Sequence, residues 1–190
     1  MQGATPESKP SRVLVVGGGH AGVEAALAAT RLGAAVVLIT LDPAAIGRMS
    51  CTPAVGGLAK GQLVREIDAL GGLMGEAGDA AATQFRMLNT RKGPAVQSPR
   101  APADHKAYAE FVRCRVADTP GIEVVAGRVA SVLEQGGRFL GFRLSDGRTL
   151  HGDAAVLTTG TFLRGLMHVG ERRSAGGRIA GRAVQSGCAR

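Results

Sequence analysis

Gly17, Gly19 and Gly22 stand at G-x-G-x-x-G spacing within Val16-Gly17-Gly18-Gly19-His20-Ala21-Gly22, directly after the apolar run Val13-Leu14-Val15-Val16. The chemistry this pattern serves is capture of a pyrophosphate. Gly17 allows a sharp turn, Gly19 lets an anion approach the backbone where a Cβ would stand, and Gly22 lets helix and strand pack closely. A helix starting there offers free N–H groups and the positive end of its dipole to the phosphates. A second candidate is Cys51, in the loop Ile46 to Gly61, with Arg48 and Lys60 close in sequence. Nearby cations would lower its thiol pKa and make it a nucleophile, whereas without them it is a small packing residue. His20, inside the fingerprint, reads as a backbone and packing residue rather than an acid–base group. A third group is basic: Arg86, Arg91, Lys92, Arg100, Lys106, Arg113 and Arg115 face only Asp104 and Glu110 between residues 86 and 115. It could hold phosphates of RNA or of a cofactor, or be a solvated face.

These residues need elements to hold them. Val13 to Val16 is apolar throughout, as a strand buried on both faces of a parallel sheet is. Ala21 to Leu32 is alanine-rich and helical, with Gly33 at its C-terminal cap. Ala34 to Thr40 is the second strand. A dinucleotide fingerprint expects an acid at its end to bind a ribose, yet Thr40 holds that place and Asp42 comes slightly late. Thr40 with backbone, or Asp42 reaching in, would hold the ribose. The Gly- and Pro-rich stretch 46–61 is too broken for a helix and too apolar for a linker, so it should line a site. Gln62 to Leu70 reads as a helix, ended by Gly71-Gly72, with Leu63, Ile67 and Leu70 on one face. Asn89 to Pro94 is a basic turn, and Arg100 to Asp118 a loop leading into a helix with Asp104 as its N-cap. Ile122 to Ala126, Arg128 to Glu134, Arg138 to Leu144 and Arg148 to His151 read as an antiparallel meander, followed by a buried strand, Ala154 to Gly160. The resulting fold class is α/β, a Rossmann-like parallel sheet with helices and an inserted β meander at about 122–151. The division is a flexible leader 1–11, a nucleotide-binding domain 12–165 and a basic tail 166–190.

Bulk composition narrows the class. The chain has 190 residues and 45% apolar content, enough for one domain with a core. No apolar run of about 18 residues exists, and the start of the chain lacks a signal-peptide core, so a cytoplasmic protein without a membrane span is expected. Cys51, Cys114 and Cys188 are odd in number and widely spaced, indicating neither a metal site nor a disulfide framework. A net charge of +8 and pI near 10.4 favour an anionic partner such as nucleic acid. At 3%, aromatic residues are too few for a base-stacking platform.

Beyond the fingerprint, longer motifs are distinctive: Gly47-Arg48-Met49-Ser50-Cys51-Thr52-Pro53-Ala54-Val55-Gly56-Gly57, Lys60-Gly61, Glu66-Ile67-Asp68-Ala69-Leu70-Gly71-Gly72, Gln84-Phe85-Arg86, Leu88-Asn89, Lys92-Gly93-Pro94-Ala95-Val96, Val156 to Leu163 and Gly176-Gly177-Arg178. Through them the chain resembles the N-terminal part of the MnmG (GidA) family of tRNA-modifying flavoproteins, over about residues 12 to 178. The resemblance implies an FAD held by Gly17, Gly18, Gly19, His20, Ala21 and Gly22, with Thr40 at the ribose position. It implies that the backbone at Val129 contacts the adenine, that Gly160 closes a strand near the cofactor, and that Cys51 lies close to the flavin. It further implies an enzyme that works with the GTPase MnmE, as a homodimer, at the wobble uridine of tRNA. Together they add a carboxymethylaminomethyl-type group at C5, using NADH and a folate-derived one-carbon unit. Full-length members carry further regions: an NADH-binding insertion, a second half of the FAD fold and a C-terminal helical region. After Arg178 this sequence departs from the family pattern, as a truncated chain would. A stand-alone FAD- or nucleotide-binding module, or an inactive truncated product, are the other readings.

Overall fold

The computed structural model describes residues 10–49, 52–160 and 166–175. The chain opens with β1 (Arg12–Val16), α1 (His20–Arg31) and β2 (Ala35–Thr40). It continues through β3 (Ala54–Gly56), α2 (Lys60–Ala69), α3 (Met74–Ala81), β4 (Arg86–Leu88), β5 (Ser98–Pro102) and α4 (His105–Asp118). After these come β6 (Ile122–Ala126), β7 (Val129–Gln135), β8 (Arg138–Leu144), β9 (Thr149–His151), β10 (Ala154–Leu157), β11 (Leu166–Val169) and β12 (Arg172–Ala175).

The centre is a parallel sheet in the order β10-β1-β2-β6. The apolar runs explain it: Leu14, Val15 and Val36 to Ile39 are all nearly or fully buried, so both faces of β1 and β2 need cover. On one face Val15, Val36 and Leu38 pack with α1, α3 and α4 through Val23, Ala26, Ala77, Tyr108 and Val112. On the other, Leu14, Val37 and Ile39 pack under Phe142 and Leu144 of β8. The result is three layers: helices, parallel sheet, antiparallel sheet. α1 ends as its sequence predicts. Gly33 has φ +85°, its N–H donates to the Thr30 carbonyl, and the Ala34 N–H donates to the Ala29 carbonyl, the pairing of a Schellman cap.

Several expectations change. Ile122 to Ala126 leaves the meander and joins the parallel sheet beside β2, because α4 carries the chain back across the sheet as a crossover. The meander is β7-β8-β9 alone, with bulged register at Val129/Ser131 and Leu133/Glu134. β10 forms as expected but is exposed rather than buried, with Leu157 64% accessible. It is the outer strand of the sheet, paired only to β1 among the described residues. A small antiparallel sheet, β3-β5-β4, takes residues that read as loop, including Arg100 to Pro102. The region read as a basic tail from 166 holds the β11–β12 hairpin. Cys114 on α4 is disulfide-bonded, although the number and spacing of the cysteines indicate no disulfide framework. No helix among the described residues is long and apolar enough to cross a membrane.

Phe142 is 1% exposed and meets the Phe139 ring edge-on at 5.2 Å, making it the main anchor of the meander on the sheet. Phe142→Ala should lower unfolding free energy by about 3–5 kcal/mol, read as a fall in the urea midpoint.

Candidate functional site

The fingerprint glycines sit where β1 ends and α1 begins, and each glycine has its own reason. Gly17 has φ +115°, and its N–H donates to the Ile39 carbonyl at 2.8 Å. A Cβ on Gly22 would overlap the Gly17 carbonyl oxygen and crowd Thr158 Oγ1, so α1 starts against the turn before it only because residue 22 has no side chain. Gly19 differs: a Cβ there would meet nothing within 4 Å, so the space above it is open. Gly19 is the N-cap of α1 with no side-chain cap, and the first-turn amides lack intrahelical acceptors. An open floor, free N–H groups and a positive helix end fit a bound pyrophosphate.

Neighbouring segments hold this cradle in shape. Thr158, just beyond β10, donates through Oγ1 to the Val16 carbonyl at 2.8 Å and the Gly17 carbonyl at 3.2 Å. From this strand-end motif the sequence points to Gly160, whereas Thr158 of the same motif is the residue that touches the cradle. Gly160, with φ +62°, lies two residues further on and a Cβ there would meet nothing. From the other side the Gly47 N–H donates to the Gly18 carbonyl at 3.1 Å, so the loop after β2 is tied to the cradle. Thr40 is 8% exposed and packs close to Gly18, while its hydroxyl donates weakly to the Asp42 carbonyl at 3.4 Å. The Asp42 carboxylate accepts from the Ala44 N–H at 2.9 Å and caps a short 3-10 turn. Gly127 donates to the Thr40 carbonyl, which brings the start of β7 and Val129 to the same sheet end. Cys51 lies outside the described residues.

Beyond α1 lies a cavity of about 630 Å³, a size usual for ligand sites. Met49, Thr52 and the segment 54–58 line it, as expected for the Gly- and Pro-rich loop. His20 and Tyr108 form one end, their rings 5.5 Å apart and tilted by 51°. Tyr108 is 1% exposed and its hydroxyl has no hydrogen-bond partner among the described residues. Burial, and then the charge of Glu24, push its pKa well above the usual phenol value. Burial also lowers the His20 pKa, with Glu24 pulling the other way. Glu24 itself, which sequence reading passed over, accepts from the Leu73 and Met74 N–H groups at 2.8–3.1 Å and joins α1 to the start of α3. Asp104 caps α4 as predicted, accepting from the Lys106 and Ala107 N–H groups, and those bonds lower its pKa.

This geometry sets two expected outcomes. Gly22→Ala should cost about 3 kcal/mol or prevent folding, while Gly19→Ala should leave the melting temperature nearly unchanged; thermal unfolding of the pair separates them. His20 is held neutral, so its contribution to stability is complete above its unfolded value of about 6.5 and is lost as pH falls through the lowered folded value. His20→Gln should therefore flatten the fall in urea midpoint between neutral and acid pH.

The comparisons with known proteins agree with this architecture. The family described as Glucose inhibited division protein A matches residues 12–189, past residue 178 where the motif resemblance ends. The tRNA uridine 5-carboxymethylaminomethyl modification enzyme MnmG of Chlorobium chlorochromatii is 53% identical over 166 residues, 87% of this chain and 27% of that protein. The enzyme of the same name from Granulibacter bethesdensis is 54% identical over 170 residues, 88% and 27% of the two chains. The crystal structure of Aquifex aeolicus GidA superposes with a TM-score of 0.84 at 48% identity, covering 90% of this chain and 28% of that one. A GidA-related protein from Thermus thermophilus, 19% identical with a TM-score of 0.57, shares the fold. The chain thus spans little more than a quarter of the length of the curated relatives it matches. With a family match along nearly its whole length and relatives at about half identity, the chain belongs to the Glucose inhibited division protein A, or GidA, family.

Proposed function

We propose that this chain is the FAD-binding portion of a cytoplasmic tRNA-modifying enzyme that adds a carboxymethylaminomethyl-type group to C5 of the wobble uridine. The observation that carries this reading is the open floor at Gly19, set at an uncapped helix start in a chain half identical to proteins named for that modification. The backbone of Gly17 to Gly22 would hold the pyrophosphate. Thr40 would face the adenosine ribose, since the Asp42 carboxylate is engaged at its own turn. The main chain at Val129 would meet the adenine, and Gly160 would border the cofactor. Bound FAD supplies two-electron redox chemistry, with NADH as reductant and a folate-derived unit as carbon donor. The family resemblance supplies the remaining parts of the proposal: an MnmE-type GTPase partner, a homodimer, and Cys51 as the residue that reacts near the flavin. The exposed cations Arg86, Arg91, Lys92 and Lys106 suit contact with tRNA phosphates.

FAD added to the purified 190-residue chain should survive gel filtration, giving a yellow protein with flavin absorbance. Gly19→Ala should lose most of that flavin without losing its fold. A colourless wild-type chain sinks the FAD reading. Retained FAD that NADH does not bleach anaerobically would leave a binding module in place of a catalytic one.

A further inference from the structure

We propose that Gln62 is a positioning residue for the tRNA substrate: with Asn89 and Gln97 it fixes the loop between β4 and β5 so that Arg91 and Lys92 face the phosphate backbone. The inference rests on the tRNA reading given above and adds the residue that readies the contact. The sequence marks Asn89 to Pro94 as a basic turn, and the structure adds what holds its shape. Backbone signals come first. Asn89 takes the left-handed region at φ +57°, which asparagine tolerates better than most residues. Pro94–Val96 forms a short 3-10 turn with its proline at the start. The Lys92 N–H donates to the Asn89 carbonyl at 2.9 Å, and the Val96 and Gln97 N–H groups donate to the Gly93 and Pro94 carbonyls at 3.1 Å.

Side-chain amides then close the loop. Asn89 Nδ2 donates to the Val96 carbonyl and Gln97 Nε2 to the Lys92 carbonyl, both at 3.0 Å. From outside the loop, Gln62 on α2 donates through Nε2 to the Ala95 and Gln97 carbonyls at 3.4 and 3.3 Å. The carbonyls of Lys92, Ala95, Val96 and Gln97 are thus all turned onto amide groups. A carbonyl oxygen is the negative end of a peptide dipole and repels a phosphate. With these covered, the loop offers an anion the side chains of Arg91 and Lys92, which are exposed and in no ion pair among the described residues. Gln62 itself carries a cost that stability does not explain. Its Oε1 is buried without a hydrogen-bond partner among the described residues, and its two donated bonds are long. A buried unpaired acceptor opposes folding, and weak bonds return little. Its value lies in what it holds: a loop ordered before binding has less freedom to lose when the tRNA arrives. Gln62 is not among the residues lining the large cavity, so its substitution reads on the loop.

The experiment uses the purified chain, first alone and then with an unmodified tRNA transcript at fixed salt. In the free chain, Gln62→Met removes the donor and the unpaired oxygen together. The melting temperature should stay unchanged, while amide hydrogen exchange at Val96 and Gln97 should quicken about tenfold. Affinity for tRNA should fall about fivefold in Gln62→Met, and about tenfold when Arg91→Gln and Lys92→Gln are combined. Added to that pair, Gln62→Met should cost nothing more, because the cations it places are gone. Gln97→Met, which cuts the other side-chain tie, should repeat the pattern. An equal loss from Gln62→Met with and without the loop cations is the mark of a merely structural role and overturns the proposal. So does unchanged exchange at Val96 and Gln97, or a large fall in melting temperature. A chain that binds no tRNA, or binds it equally well without Arg91 and Lys92, sinks the tRNA reading at this loop and the proposal with it.

Discussion

The structure depends on one close approach. At the end of β1 the Gly17 carbonyl, the first turn of α1 and Thr158 after β10 occupy a space that a methyl group on residue 22 would fill. Remove that clearance and α1 must pull away from the sheet edge. The consequences spread through named bonds. Thr158 would lose its two carbonyl acceptors, and the Gly47 bond to Gly18 would no longer position the following loop. The open floor at Gly19 exists because this contact holds the turn and the helix start in register. A close contact at one glycine thus creates the open space at another.

The two faces of the central sheet divide the labour. The meander face is closed by Phe142, Leu144 and their neighbours. The helical face carries the cavity and the small three-stranded sheet, and His20, the first residue of α1 after the cradle, lines that cavity. Burial lowers the His20 pKa and raises that of Tyr108, so the end of the cavity they form carries no formal charge near neutral pH, while Arg100 and Lys60 line it elsewhere.

Legibility in the sequence followed the range of the forces involved. β1, α1 and β2 were readable because unbroken apolar runs and the glycine spacing are local signals, and the caps at Gly33 and Asp104 are local too. The strands of the small sheet were not readable. They are three to five residues long, two prolines interrupt β5, and their formation rests on neighbours distant in sequence. β6 looked like the three strands after it because alternation reports a half-buried strand but not its partner. β10 looked buried because its residues are apolar, but its position at the sheet's margin decides exposure. In the site, the glycines announced themselves. Thr158 and Glu24 did not, since a threonine or glutamate gains meaning only from the atoms the fold places beside it. The reactive-cysteine reading of Cys51 falls on a residue the structure does not describe.

Glu24 does more than join two helices. Its carboxylate takes the amides of Leu73 and Met74 from a position four residues past His20, so the helix that starts at the cradle is tied to a wall of the cavity. An anion that orders the start of α1 would therefore act through one carboxylate on Met74 and the start of α3 as well.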